Sequence, residues 1–365
     1  PSDGKPKFRP SLKTMRHVPR MLSTVLGKAR YGGKVQPEIN GLRERFSTIE
    51  RADLSVLSDS ALLARVDELA EVTTRAAYAN IVTPLLANAY VALLRRSLNK
   101  RGIEADAIDL DLGDPDNPYN PNRALDKLGN SIAEAGPGVV QAVRADGRAA
   151  LPDHLEHALQ RFLGEFGHLS DSGNDFSVPP WVEQPDAILR MAVDHAEVTG
   201  AHQAMSWQEA IAELGPLTRR RVRFLQDKSS EFVDRREQVS FVYTYGYGLF
   251  RPVFHEIGRR LVERGLIDSK ESVMYLQLDE LRVALLDGSL SPPPSELVAL
   301  RMKEMDDLVD VDMPDTIFGD DFVPTKRATH QVDQVVGVAT SRGRHRGTLR
   351  VVRGLEDSPR CLLYT

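Results

Sequence analysis

Hydrophobic positions recur at helical spacing along most of the chain. After Ser58-Asp59-Ser60, residues Leu62, Val66, Leu69 and Val72 fall near i, i+4, i+7, which predicts a helix from Ala61 to Asn80. Pro84 is expected to interrupt it; a second run, Leu85 to Arg101, should stop at Gly102 in a left-handed cap. Further helical patterns cover about 122–135, 151–167 and 185–198. Ser206 with Glu209 three residues later reads as a capping box. The longest pattern runs from Arg219 to Gly265 with Pro252 as a kink, and shorter helices are expected at Asp279–Leu286 and Pro294–Asp306. No repeat recurs at the roughly 34- or 40-residue periods of helical solenoids. The tail changes period: Val335–Ala339 and Thr348–Val352 alternate as short strands around a Gly/Arg-rich turn, 341–347. The expected fold class is mainly α, a multi-helix body followed by a short, incomplete β segment.

Composition narrows the class. The 365 residues are 41% hydrophobic and 27% charged, the balance of a soluble globular chain rather than collagen or a disordered tail. No run reaches the ~18–20 consecutive apolar residues of a membrane-spanning helix, so no membrane partner is expected. A net charge of -5 argues against nucleic acid as a partner. The lone Cys361 excludes a disulfide scaffold and an all-cysteine metal site, and it favours a reducing, cytoplasmic location.

Charge is unevenly spread. Residues 1–34 carry nine Lys/Arg against the single acid Asp3, which reads as a solvated lead-in, with a transit peptide or a basic surface helix as alternatives. Residues 303–321 are acidic and read as a connector. The expected organisation is a basic lead-in at 1–50, a helical domain at 51–325 and the start of another domain at 326–365. The chain starts at Pro1 and stops at Thr365 in what reads as an interrupted strand, so a longer parent polypeptide is expected.

Several candidate sites dissolve on inspection. Asp109 to Asp116 has the acidity of a calcium loop, but Gly113 falls at position 5 and Asn120 at position 12, where an EF-hand needs Gly at 6 and Glu at 12. His154 and His157 share i, i+3 spacing on a helix whose buried stripe is Leu151, Leu155, Leu159, Phe162 and Phe166, which leaves both on a polar flank. The basic turn Arg342–Gly347 lacks aromatics for stacking bases, so it reads as a charged hairpin. No metal site is expected. The densest polar cluster is Phe166–Trp181, which follows a helix end at Gly167 and is bounded by Pro179-Pro180-Trp181. A loop pinned at both ends can hold His168, Asp171, Ser172 and Asp175 in fixed geometry; the same composition also suits an inert turn cluster.

Gly167-His168, Asp171 and Pro179-Pro180-Trp181 together resemble the central segment of the PEP-utilising phosphotransferases, the family of phosphoenolpyruvate synthase and rifampicin phosphotransferase. The likeness extends through Arg235-Arg236-Glu237, Leu249-Phe250-Arg251, Ile257–Ile267 and Met274–Leu281. Residues Gly337–Val352 look like the first strands of the family's swivelling phosphohistidine domain. It covers about 150–365 well and 50–150 more loosely. Where the family often has Arg after Gly-His, Arg before Trp and an acid within the loop, this chain has Leu169, Pro180 and Asn174, so rifampicin itself is not implied.

The resemblance implies the acceptor-binding part of an ATP-dependent phosphotransferase acting on a small organic molecule. Its partners would be an ATP-grasp domain and a mobile histidine domain of the same parent, with ATP and Mg2+ bound there and no cofactor bound by this chain alone. Under it His168 is the candidate catalytic base, since a neutral imidazole can take a hydroxyl proton. Asp171 or Asp175 would orient the ring, with Ser172 beside them. Arg236 or Arg251 would steady phosphoryl charge, and Tyr245, with Tyr243, Tyr247 and Phe250, would line an apolar pocket or belong to the core. A purely structural His168 remains open. The alternative function is a non-catalytic helical binding or scaffold module.

Overall fold

The computed structural model describes residue 27 and residues 31–105, 108–110, 112–114, 116–196, 205–308, 311–312 and 325–326. They are mainly helical, as the spacing predicts. In chain order the helices are α1 Val35–Glu50, α2 Asp59–Asn99, α3 Pro121–Glu134, α4 Pro137–Asp146, α5 Asp153–Phe166 and α6 Pro185–Ala196. There follow α7 Trp207–Ala210, α8 Pro216–Gly248, α9 Phe250–Glu263, α10 Leu278–Leu286 and α11 Pro294–Leu308. Two-residue strands β1 Ile108–Asp109 and β2 Met205–Ser206 pair in parallel; β3 Val311–Asp312 and β4 Thr325–Lys326 pair antiparallel.

The described residues form two compact units. The first holds residues 31–52 and 66–250, and the second holds 53–65 and the residues from 251 onward, so the stretch 51–325 read as one helical domain contributes to both. In the first unit, α3 to α6 close around Leu128, Ile132, Leu159, Phe166, Ile188 and Leu189. Each such side chain contributes about 1.5–3 kcal/mol by leaving water. A neighbouring cluster joins the end of α2 to α7 and α8 through Leu94, Leu98, Trp207, Ile211 and Val222. The second unit buries Leu62, Ile257, Leu261, Val273, Leu281 and Leu285.

Several expectations change. Residues 35–50 belong to the body, not to a lead-in: Ile39, Leu42, Phe46 and Ile49 recur every three or four residues and are buried, with Phe46 against Gly246 of α8. Pro84 does not interrupt α2, where Val82, Thr83 and Ala87 are buried on either side of it. Gly102 does end the helix at φ +76°, and Ile103 N–H reaches back to the Leu98 carbonyl at 3.3 Å. The long run breaks at Leu249, because Pro252 offers no N–H to the Gly248 carbonyl four residues earlier. Ser206 caps a single turn by accepting from Gln208 N–H, one residue short of a capping box. Residues 303–308 extend α11, and Val311–Asp312 is a strand, so that part of the acidic stretch is structured. The β runs at 335–352, the basic turn 342–347 and Cys361 lie outside the described residues.

The membrane expectation also changes. No charged residue lies between Arg75 and Arg95, and α2 contains an 18-residue window of mean hydropathy 1.4, long and apolar enough to cross a membrane. Only 28% of that window is buried, and Tyr78, Ile81 and Leu85 are exposed.

Candidate functional site

The loop after α5 closes on itself. Trp181 N–H donates to the Leu169 carbonyl at 2.7 Å and Val182 N–H to the Gly167 carbonyl at 3.0 Å, so both ends are pinned at one place. Trp181 stacks on Phe162 of α5, with ring centroids 6.1 Å apart. Inside the loop Gly173 supplies a turn at φ +68°. Asp175 Oδ1 accepts from Ser177 N–H at 2.9 Å and from its hydroxyl at 2.5 Å, while Ser172 Oγ accepts from Asp175 N–H at 3.0 Å. Ser172 and Asp175 therefore hold the loop's own shape. Asp171 is exposed on the same loop.

His168 lies against one face of α8, where Phe241, Thr244, Tyr245 and Gly248 follow at i, i+3, i+4, i+7. Its ring meets Phe241 edge-on at 4.9 Å and Tyr245 at 5.5 Å, and its Cβ approaches Gly248 closely. Nε2 lies 3.3 Å from the Thr244 hydroxyl, which the Ser240 and Phe241 carbonyls fix at 3.0 and 3.1 Å. Burial lowers the imidazole pKa to about 4, opposed by a hydrogen bond to the Glu165 carbonyl. The ring is thus neutral near pH 7, and Glu165 and Thr244, rather than Asp175, orient it.

Beyond Phe241 and Tyr245 lies a cleft of about 380 Å³, lined from α1 by Arg43, Ser47 and Glu50, from α5 by Arg161, Gly164 and Glu165, and by Tyr119. The Tyr245 hydroxyl donates to Glu50 Oε2 at 2.5 Å; burial and that carboxylate both raise its pKa, so the phenol stays protonated. Phe241 stacks with Tyr245 at 6.4 Å and meets Tyr119 edge-on at 5.3 Å, which makes one continuous aromatic wall. Such ring pairs add roughly 0.5–1.5 kcal/mol each beyond their burial. Arg43 Nη1 donates to the Tyr119 hydroxyl at 2.9 Å.

Of the residues singled out from sequence, His168 and Tyr245 come together. Arg236 lies two turns before Thr244 on α8 and pairs with Glu237 at 2.7 Å. Arg251 is buried in the second unit. Tyr243 and Tyr247 pair with each other at 5.0 Å, and burial pushes the Tyr243 pKa up to about 12. His154 and His157 are exposed, with His157 Nδ1 on the Asp153 carbonyl. Among the described residues no cluster of three or more acidic, histidine or cysteine side chains is set to hold a metal. Sequence reasoning missed Arg43, Ser47, Glu50, Tyr119, Arg161 and Phe241. The i, i+4, i+7 spacing of Arg43, Ser47 and Glu50 on one helix face was the available signal.

Residues 76–237, less than half of the chain but including the whole His168 loop, match the family model described as the rifampicin phosphotransferase fourth domain. The match supports a relationship to the PEP-utilising phosphotransferases. Among curated proteins the chain is similar to the uncharacterised proteins Rv2047c of Mycobacterium tuberculosis and Mb2073c of Mycobacterium bovis. Each is 26% identical over 213 residues, which is 58% of this chain and 23% of the relative. The chain thus spans about a quarter of the length of the relatives it matches.

Proposed function

We propose that the chain is the acceptor-binding part of an ATP-dependent phosphotransferase in which a mobile histidine on another domain carries the phosphoryl group. One observation carries this reading: the loop shared with the phosphotransferase family packs on the α8 face that walls an open cleft. Among the described residues no acidic cluster is set to hold Mg2+, and the sequence shows no Gly-rich phosphate loop, so this reading assigns ATP and Mg2+ to another part of the parent. In this reading a hydroxyl oxygen of the acceptor bonds to phosphorus, the phosphorus–nitrogen bond of the carrier breaks, and the hydroxyl proton passes to the imidazole nitrogen that the phosphoryl group leaves. His168 is uncharged near neutral pH, as a base must be, yet its ring is tied to Glu165 and Thr244. We assign it the task of holding Phe241 and Tyr245 in the cleft wall.

The test uses the full-length parent with its mobile histidine loaded from radiolabelled ATP. Label should pass to a small-molecule acceptor, whereas this chain alone with labelled ATP should stay unlabelled; labelling of the chain alone would overturn the reading. His168→Gln should raise KM with kcat held within a factor of a few, and a loss confined to kcat would restore it as the base. The exposed face of α2 at Tyr78, Ile81 and Leu85 favours a second reading, a helical interaction module. A parent that loads its histidine yet transfers to no acceptor would support that module.

A further inference from the structure

We infer that the cleft between α1, α5 and α8 binds a flat, hydroxylated aromatic anion. That ligand is the phosphoryl acceptor only if the phosphotransferase reading holds; the binding itself stands on the cleft.

The wall is the first reason. Tyr119, Phe241 and Tyr245 present contiguous rings; His168 packs edge-on against Phe241 and Tyr245, and Glu50 holds the Tyr245 hydroxyl. Rigid rings beside an open volume favour a planar apolar body.

Gly164 is the second. A glycine inside an exposed helix costs about 1 kcal/mol relative to alanine. At Gly246 a structural cause is visible, since a Cβ would strike the Phe46 ring, whereas the helical glycines Gly41 and Gly138 show none and lie outside the cleft lining. At Gly164 the backbone is ordinary and an added Cβ meets nothing within 4 Å. Neither φ nor a neighbour demands glycine there; what its missing side chain leaves is room in the cleft wall.

Charge is the third. Arg161, one turn before Gly164, makes no hydrogen bond or ion pair among the described residues, and Arg43 bonds the Tyr119 hydroxyl rather than a carboxylate. Two guanidinium groups facing one cleft suit a carboxylate-type anion. Glu50, a carboxylate that only accepts hydrogen bonds, suits the ligand hydroxyl, and Glu165 repels a second negative group. Anion toward the arginines and hydroxyl toward Glu50 is therefore the favoured orientation.

The probe is 3-hydroxy-2-naphthoate, titrated against the full chain by calorimetry and fluorescence. It should bind more tightly than 2-naphthoate, which lacks the hydroxyl, than 2-naphthol, which lacks the charge, and than a hydroxycyclohexane carboxylate, which is not flat. Gly164→Met should weaken it on the order of tenfold or more by filling the space, and Arg161→Gln about fivefold with a smaller salt dependence. Absence of binding up to about 1 mM overturns the inference. So does wild-type affinity in both variants, and Arg161→Gln, at an exposed position unpaired among the described residues, keeps that comparison valid even if Gly164→Met misfolds. Failure to bind with transfer intact in the parent rejects this site alone; binding with no transfer rejects the phosphotransferase reading alone.

Discussion

In the second unit the arginines of α9 are surrounded by partners. Arg260 donates to Asp59 at 2.8 Å, to Glu256 at 2.9 Å and to the Leu54 and Ser55 carbonyls, and its side chain is only 12% exposed. Arg264 joins Asp59 and the Leu285 carbonyl, and Arg301 forks onto Glu280 at 2.6 and 2.7 Å. In the first unit the cleft arginines meet no carboxylate among the described residues: Arg43 bonds the Tyr119 hydroxyl and Arg161 is unpaired. A charge whose partners are all present holds the fold together. One that faces a cavity without them is available to a ligand.

The largest effect should separate those two kinds of arginine. Arg260→Ala takes from Asp59 and Glu256 one of the two arginines each holds, leaving Arg264 and Arg259, and should cost about 1–3 kcal/mol in urea denaturation, whereas Arg161→Ala should stay within about 0.5 kcal/mol. Equal losses would erase the distinction.

Acid should separate the units next. His168 drops from an ordinary 6.5 to about 4 in the fold, so its share of stability is complete above pH 6.5 and disappears as the pH falls from 6.5 toward 4. That share is roughly 3 kcal/mol at 1.36 kcal/mol per pH unit, and His168→Gln should flatten the slope. In the second unit Arg259 and Arg301 hold Glu256 and Glu280 below the ordinary 4.5, so their share is lost only at lower pH. Melting temperatures between pH 7 and 3 should show two phases; a flat curve from 7 to 5 would show that the imidazole is solvated.

The glycines give the smaller contrasts. Gly246→Ala drives a methyl into the buried Phe46 ring and should cost about 2 kcal/mol. Gly164→Ala, with open space around it, should stabilise by about 0.5–1 kcal/mol in the same assay. A destabilising Gly164→Ala would mean that the helix needs the glycine for its own sake.

Helices with one apolar stripe were legible from sequence: Leu125, Leu128 and Ile132 in α3, and Leu155, Leu159, Phe162 and Phe166 in α5, are buried as their spacing requires. Both glycine stops, Gly102 and the one at Gly265, were legible for the same local reason. Proline was ambiguous: Pro84 is carried by buried neighbours and Pro252 breaks its helix, a difference set by tertiary surroundings. The loop was found because its polar residues are consecutive. The cleft was not, because Glu50 and Tyr245 meet across 195 residues of chain, and α1 was hidden behind a basic segment whose charge dominated its reading.

Asp59 and Arg260, finally, are 201 residues apart in the chain. At roughly 5–20 residues per second, a ribosome needs about 10–40 s to make the second after the first. Until that interval ends the carboxylate lacks Arg260, while α3 to α6, made within it, already possess every side chain of their own core before it closes. The first unit can therefore mature during translation, and the second must wait for the return of the chain.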